Sequence, residues 1–308
     1  MPRPTVEELL AQVKQGEMGV EEALGLLNKK GDEAPVLALE QARSQLQGLV
    51  GLESVKKLVA ELEAFITVQK RRQQAGLVAE PLVLHMVFSG SPGTGKTTVA
   101  RILGELFHRL GVLPKGHLVE VERADLVGEY IGHTAQKTRE QIRRAMGGIL
   151  FIDEAYSLAR GGEKDFGKEA IDTLVKAMED HKDQLLLILA GYEEEMEGFL
   201  NTNPGLRSRF PIHLKFPDYT VMQLESIARQ MLEKRQYKLS AAGQAALRRQ
   251  LIASSLSGEL ASGNARLVRN IIERAIRKQA VRLVAEGKQS REELMEISGE
   301  DLGGGEGQ

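Results

Sequence analysis

Gly90-Ser91-Pro92-Gly93-Thr94-Gly95-Lys96-Thr97 decides how this chain is read. The stretch has the form GxxxxGK[ST], and the apolar run Leu84-His85-Met86-Val87-Phe88 leads into it. Gly90, Gly93 and Gly95 allow a tight turn whose N–H groups, with the N-terminus of a following helix, point at a bound anion. Lys96 adds a mobile positive charge suited to β- and γ-phosphates, and the Thr97 hydroxyl is suited to hold Mg2+. Val99, Ile102, Leu103, Leu106 and Leu110 then follow at the spacing of a helix with one buried face. A strand, a glycine loop and a helix in that order are the setting in which the motif grips a nucleoside triphosphate.

Working outward, apolar runs alternate with helical patterns. Strands are expected over 84–88, 118–122, 149–152, 185–190 and 212–216, and helices over 96–110, 134–146 and 167–180. A long helix with Val55, Leu58, Val59, Leu62, Phe65 and Ile66 on one face precedes them, running from about Leu49 to Gln74 and ending at Gly76. This alternation specifies an α/β core over 49–217, with a mostly parallel five-stranded sheet and a ligand at the carboxyl ends of its strands. From 218 to 300 the pattern is wholly helical, with capping boxes at Thr220/Gln223 and Ser290/Glu293, so a C-terminal all-α lid is expected. Residues 1–48 read as a short helical extension with a capping box at Thr5/Glu8, and 301–308 read as a disordered tail.

Composition sets limits. Lys and Arg number 41 against 43 Asp and Glu, a net charge of −2, so duplex nucleic acid is not demanded as a partner. The chain has no cysteine, which excludes disulfides and thiolate metal sites. No apolar run reaches the length of a membrane span, and a cytoplasmic protein is expected.

Ile149-Leu150-Phe151-Ile152-Asp153-Glu154 is an apolar strand ending in two carboxylates. At such a strand tip Asp153 can hold Mg2+ and Glu154 can polarise the water that attacks a γ-phosphate. Leu206-Arg207-Ser208-Arg209-Phe210 puts two guanidinium groups before the last strand. They suit either the phosphate of a neighbouring subunit or an ordinary helix C-terminus. Arg266 opens a lid helix, placed to reach the phosphates or to face water. Glu129-Tyr130-Ile131-Gly132 lies on a glycine-flanked loop, where the residues alone favour inward packing over gripping a partner.

Together these pieces resemble the AAA+ ATPases, and more closely the branch containing stage V sporulation protein K and the red-type, CbbX-like Rubisco activases. The motifs that carry the resemblance are Gly116-His117-Leu118-Val119-Glu120, Arg123-Ala124-Asp125-Leu126-Val127-Gly128-Glu129-Tyr130-Ile131-Gly132-His133-Thr134, Phe151-Ile152-Asp153-Glu154-Ala155-Tyr156 and Asn203-Pro204-Gly205-Leu206-Arg207-Ser208-Arg209-Phe210. The resemblance implies a homo-oligomeric ring, usually a hexamer, with nucleotide between subunits. Lys96 and Thr97 then look like the Walker A pair and Asp153 and Glu154 the Walker B pair. Arg209 looks like a trans-acting finger with Arg207 beside it, and Arg266 like a lid sensor. Leu49, Val50 and Gly51 fall where the adenine is placed. The implied nucleotide contacts are Val50, Gly51, Gly90, Pro92, Gly93, Thr94, Gly95, Lys96, Thr97, Thr98, Asp153 and Arg266, with Thr97 and Asp153 at the metal. Tyr130 and Ile131 match a pore loop that pulls on a protein client, reversing the preference for packing. Tyr192 stands where many members of the family have a polar Asn or Thr. The implied activity is Mg2+-dependent ATP hydrolysis coupled to remodelling of a client, in a sporulation-type or an activase-type role. The alternatives are a nucleotide-gated scaffold with little turnover and a nucleic-acid motor. Glu154 argues against the first of these, and the balanced charge against the second.

Overall fold

A computed structural model describes residues 37–79, 83–130, 132–161, 165–202, 204–287 and 290–303, together with Gln15 and Gly19. The Thr5/Glu8 capping box, Ile131 and residues 304–308 lie outside the described residues.

A helix over 37–47 (α1) leads into α2 (Glu53–Gln74). The core follows as β1 (Met86–Gly90), α3 (Lys96–Arg109), β2 (Leu118–Val121), α4 (Arg123–Leu126), α5 (His133–Ala145) and β3 (Ile149–Ile152). A 3-10 turn (Ala155–Ala159) leads to α6 (Gly167–Asp180), β4 (Leu186–Gly191), α7 (Glu193–Thr202), α8 (Pro204–Arg209) and β5 (Ile212–Phe216). The five strands form one parallel sheet in the order β2-β3-β4-β1-β5. β1, which carries the glycine loop, therefore sits between β4 and β5, while the chain after it crosses to the far edge. A crevice opens at the carboxyl ends of strands around such a reversal.

Both faces of the sheet are covered, which is why its strands read as continuous apolar runs. Met86 and Phe88 of β1, Phe151 of β3 and Ile188 of β4 point into one core, with α2, α3 and the lid. Val87, Leu150, Ile152 and Leu187 point into the other, with α5 and α6. β1 lies two residues later than its apolar run suggested. It continues to Gly90 because that residue pairs with Phe216 of β5. A Cβ at Gly90 would sit 2.2 Å from the Phe216 carbonyl oxygen, so only glycine allows the strand to pass so close.

α1 packs on this body rather than standing apart. Ala42 and Leu46 are buried in the same core as α2, and the Arg43 Nε donates to Glu63 at 2.8 Å. The C-terminal end of the expected extension is thus part of the core packing.

The lid comprises α9 (Val221–Glu233), β6 (Lys238–Leu239), α10 (Ala241–Leu256), α11 (Glu259–Gly263), α12 (Ala265–Glu286), α13 (Arg291–Met295), β7 (Glu296–Ile297) and α14 (Gly299–Leu302). Both expected capping boxes form. The lid is built of helices as expected, with one addition: Lys238 and Leu239 pair in parallel with Glu296 and Ile297, and two-residue strands are too short to leave a periodic signal. One expectation needs correcting. Disorder does not begin at 301. Asp301 and Leu302 are buried, and Arg282 grips the Asp301 carboxylate with two bonds of 2.9 and 2.8 Å. Burial pushes the Asp301 pKa up, but the bonds from Arg282 and Ser298 outweigh it, and the pKa ends below the ordinary aspartate value.

Candidate functional site

A cleft of about 440 Å3 lies where the topology predicts, between the carboxyl ends of the strands and the lid. That size suits a small organic ligand. One wall is the glycine loop. Gly95 takes a left-handed conformation (φ 100°) and precedes α3 without a side chain to cap it, so the first turn of α3 offers its N–H groups to a ligand. Lys96 Nζ donates to the carbonyls of Gly90 (2.7 Å) and Ser91 (2.9 Å), which holds the ammonium over the loop. Burial lowers the Lys96 pKa; Asp153 opposes the shift, Arg266 adds to it and Asp218 opposes it. Those four residues therefore form one electrostatic cluster contributed by α3, the end of β3, the linker after β5 and the lid.

Asp153 and Glu154 leave the tip of β3 in opposite ways. Asp153 continues the strand geometry, its N–H donating to Val121 at 2.9 Å, and its carboxylate accepts from the Glu154 N–H at 3.0 Å. Glu154 has φ 46°, uncommon outside glycine, and this turn leaves its side chain exposed in the cleft. Oxygen groups at Thr97 and Asp153 are of the hard type that Mg2+ takes, and the cations Lys96 and Arg266 face them. A triphosphate with its divalent cation fits this donor set.

Of the residues expected from sequence to contact nucleotide, Val50, Gly90, Pro92, Gly93, Gly95, Lys96, Thr97 and Thr98 line the cleft, as do Asp153, Glu154 and Arg266. Thr94 is fully buried and its hydroxyl turns into the loop, donating to the Ser91 carbonyl at 2.8 Å. Gly51 is outside the wall; a Cβ there would meet the Gln223 side chain at 2.6 Å. The structure also keeps both candidate finger arginines out of this cleft. Arg209 pairs with Glu179 and donates to the Gly205 carbonyl at 3.0 Å, and Arg207 donates to Asn201 at 2.9 Å. Tyr130 is 66% exposed, with its ring 5.5 Å from that of His133. That exposure corrects the residue-only preference for inward packing.

The sequence singled out Tyr192 without giving it a role, and it missed other parts altogether. Tyr192, at the end of β4, lines the cleft and lies 6.3 Å ring to ring from Tyr156, over which Arg160 is stacked at 4.5 Å. Glu120 of β2 reaches the same wall and pairs with Arg101 at 2.5 Å. Ile227, Gln230, Met231 and Lys234 of α9 also line the cleft, with Gln230 reaching across to the Gly48 carbonyl at 3.1 Å. The α9 residues carry no local signal, since they matter only through the docking of lid on core. Tyr219 was equally silent, although it follows the linker residues Pro217-Asp218. It is buried, its pKa is pushed up to about 12 by that burial, and its hydroxyl donates to the Thr94 carbonyl at 2.9 Å.

With this geometry in place, comparison with known proteins is direct. Residues 86–218 match the ATPase family associated with various cellular activities (AAA), and residues 220–307 match the AAA lid domain. The chain is 54% identical over 265 residues to stage V sporulation protein K of Bacillus subtilis, covering 86% of this chain and 82% of that one. It belongs to the AAA+ ATPases. A second relative is the chloroplastic ribulose bisphosphate carboxylase/oxygenase activase of Cyanidioschyzon merolae, 45% identical over 257 residues, 82% of this chain and 87% of that one. A solved mutant of Thermotoga maritima RuvB aligns with a TM-score of 0.52 at 22% identity, over 83% of this chain and 70% of the other, and shares the fold. Among the described residues of this AAA+ protein, no helix is long and apolar enough to cross a membrane.

Proposed function

We propose that this AAA+ protein is a Mg2+-dependent ATPase that assembles into a ring, hexameric by family resemblance, and uses turnover to pull on or remodel a protein client. One observation carries the reading. Lys96 and Thr97 of α3, Asp153 and Glu154 after β3 and Arg266 of α12 meet in one cleft, while Arg209 stands apart on α8. A complete phosphate grip without a transition-state arginine of its own is a site to be finished by a neighbour.

The chemistry follows from the groups. The N–H groups of the loop and Lys96 bind the β- and γ-phosphates. Mg2+ held by Thr97 and Asp153 would neutralise charge on their oxygens. Glu154, turned outward by its left-handed backbone, orients and polarises the attacking water. Arg209 of an adjacent subunit would stabilise the charge spread over the transferred group, with Arg207 beside it. Arg266 carries the state of the phosphates to the lid, whose closure moves the loop bearing Tyr130. The exposed Tyr130 ring supports its assignment to client contact, together with Ile131.

Glu154→Gln separates this from a nucleotide-gated scaffold. The variant is expected to bind ATP as wild type does while steady-state phosphate release falls by roughly 100-fold or more, the range for loss of a catalytic base. Equal rates would favour the scaffold. A sporulation-type role is favoured by the similarity to stage V sporulation protein K, and an activase-like remodelling role by the similarity to the chloroplastic activase. Clients trapped by the Glu154→Gln ring in ATP decide between them.

A further inference from the structure

We propose that Asn264 is a positioning residue that locks the first turn of α12 onto the phosphate-binding loop and thereby sets Arg266 in the cleft; this rests on the ATPase reading above. Asn264 is fully buried, although it is polar and lies at the junction of three parts of the molecule. Its side-chain oxygen accepts from the Tyr219 N–H at 2.9 Å. Its amide nitrogen faces the Asp218 carboxylate at 2.9 Å, the Pro92 carbonyl at 3.3 Å and the Ala261 carbonyl at 3.3 Å. One short amide thus touches the phosphate loop, the linker after β5 and the lid. With two N–H bonds for three acceptors, the charge-assisted bond to Asp218 dominates and the second proton lies between the two carbonyls.

The backbone adds to the picture. Asn264 has φ 43° and ψ −124°, a conformation that non-glycine residues rarely hold unless their surroundings impose it. Its consequence is local and specific. The turn brings the Ala265 N–H to the Gly93 carbonyl at 3.2 Å, and it brings the lid so near the loop that a Cβ on Gly93 would sit 2.3 Å from the Gly263 carbonyl oxygen. Arg266 is two residues further on and lines the cleft with Lys96. Tyr219, held by Asn264 through its N–H, bonds the same loop from the other side through Thr94. Asp218 lies close enough to Lys96 to affect its titration, so the contacts of Asn264 run from the phosphate-binding lysine to the lid arginine. A displacement of the loop is passed to α12 without a mobile segment between them.

The test uses the full chain with ATP as the probe, in wild type, Asn264→Gly, Asn264→Asp, Arg266→Ala and the Asn264→Gly/Arg266→Ala double variant. Glycine removes the side chain but accepts the backbone angle, so it preserves the turn. Aspartate keeps the oxygen that accepts from Tyr219 and sets a carboxylate against Asp218 in place of the donor. Both Asn264 variants are expected to hold ATP within about threefold of the wild-type Kd and to lose about tenfold or more in kcat. The double variant should be no slower than the slower single variant, because groups acting in one chain of contacts are not additive. Amide exchange over residues 265–269 should differ between ATP and ADP in wild type and lose that difference in Asn264→Gly. A lower Tm with kcat and the ATP-to-ADP exchange difference both retained would mean that Asn264 only supports the fold, and would overturn the proposal. So would losses that multiply in the double variant. Wild-type kcat in Arg266→Ala would instead remove the role assigned to Arg266, and the proposal with it.

Discussion

At the scale of single residues, this protein puts unusual chemistry where elements meet. Glu154 and Asn264 are both non-glycine residues at positive φ, one in the cleft at the tip of β3 and one buried at the start of α12, just before the cleft residues Ala265 and Arg266. Such conformations persist only where packing and hydrogen bonds over-determine them. His85 shows the same dependence on context in its titration. Burial pushes its pKa down from 6.5 to about 4, and its Nδ1 accepts from the Leu187 N–H at 3.1 Å, so the folded chain holds the ring neutral. The unfolded chain binds a proton to it below about pH 6.5. Stability is therefore fully present above that pH and is lost as pH falls toward 4. Between pH 7.5 and 5.5 the loss from this group should be about 1.3 kcal/mol. Urea midpoints of wild type and His85→Gln at the two pH values measure it; parallel losses in both proteins would clear His85 of the effect.

Among elements, the sheet and the lid differ in what holds them. The strands are fixed by burial on both faces, and their alternation divides side chains cleanly between two cores. The lid closes on itself through polar contacts near the C-terminus. Gln279 of α12 donates to the Glu293, Leu294 and Glu296 carbonyls, and Arg282 to Asp301 of α14. The Asp301 side chain is 1% exposed and that of Arg282 19%, so this pair lies between an exposed and a fully buried ion pair. Asp301→Asn is expected to cost about 2 kcal/mol and to loosen α14 from α12 before the core is affected. Amide exchange resolved by peptide reads this; protection lost equally across the β-sheet would show that the lid is not a separate unit of stability. The alternation of strand and helix was legible in the sequence because burial on a repeating backbone imposes a period. β6, β7 and the anchoring of α14 were not, because two-residue strands have no period and the partners of Asp301 lie far off in the chain.

For the whole molecule, the proposed ring turns on the placement of Arg209. Within its own chain it pairs with Glu179 on α6, away from the cleft. A partly exposed pair of this kind is worth at most about 1 kcal/mol, so a neighbour's phosphates could draw the guanidinium away at little cost. Arg209→Ala is expected to bind ATP normally and to lose turnover by roughly a thousandfold, as for loss of a transferred arginine. Mixed with Lys96→Ala subunits it should regain activity, since some interfaces then join an intact loop to an intact arginine. Phosphate release by verified mixed assemblies is the measurement, and no recovery would place the whole site within one subunit.

The order of residues in this chain was enough to specify a glycine loop between strand and helix at Gly90–Thr97, two acidic groups at the end of an apolar strand, a parallel sheet and a helical second unit. All of these depend on chemistry carried by neighbours in sequence or on a repeating pattern of burial. Only the folded molecule could place Asn264 between loop, linker and lid, line the cleft with α9, turn Thr94 inward and hold Arg207 and Arg209 outside. Those outcomes are set by contacts between segments distant along the chain, where a side chain's role depends on what packing brings to it rather than on the residues beside it.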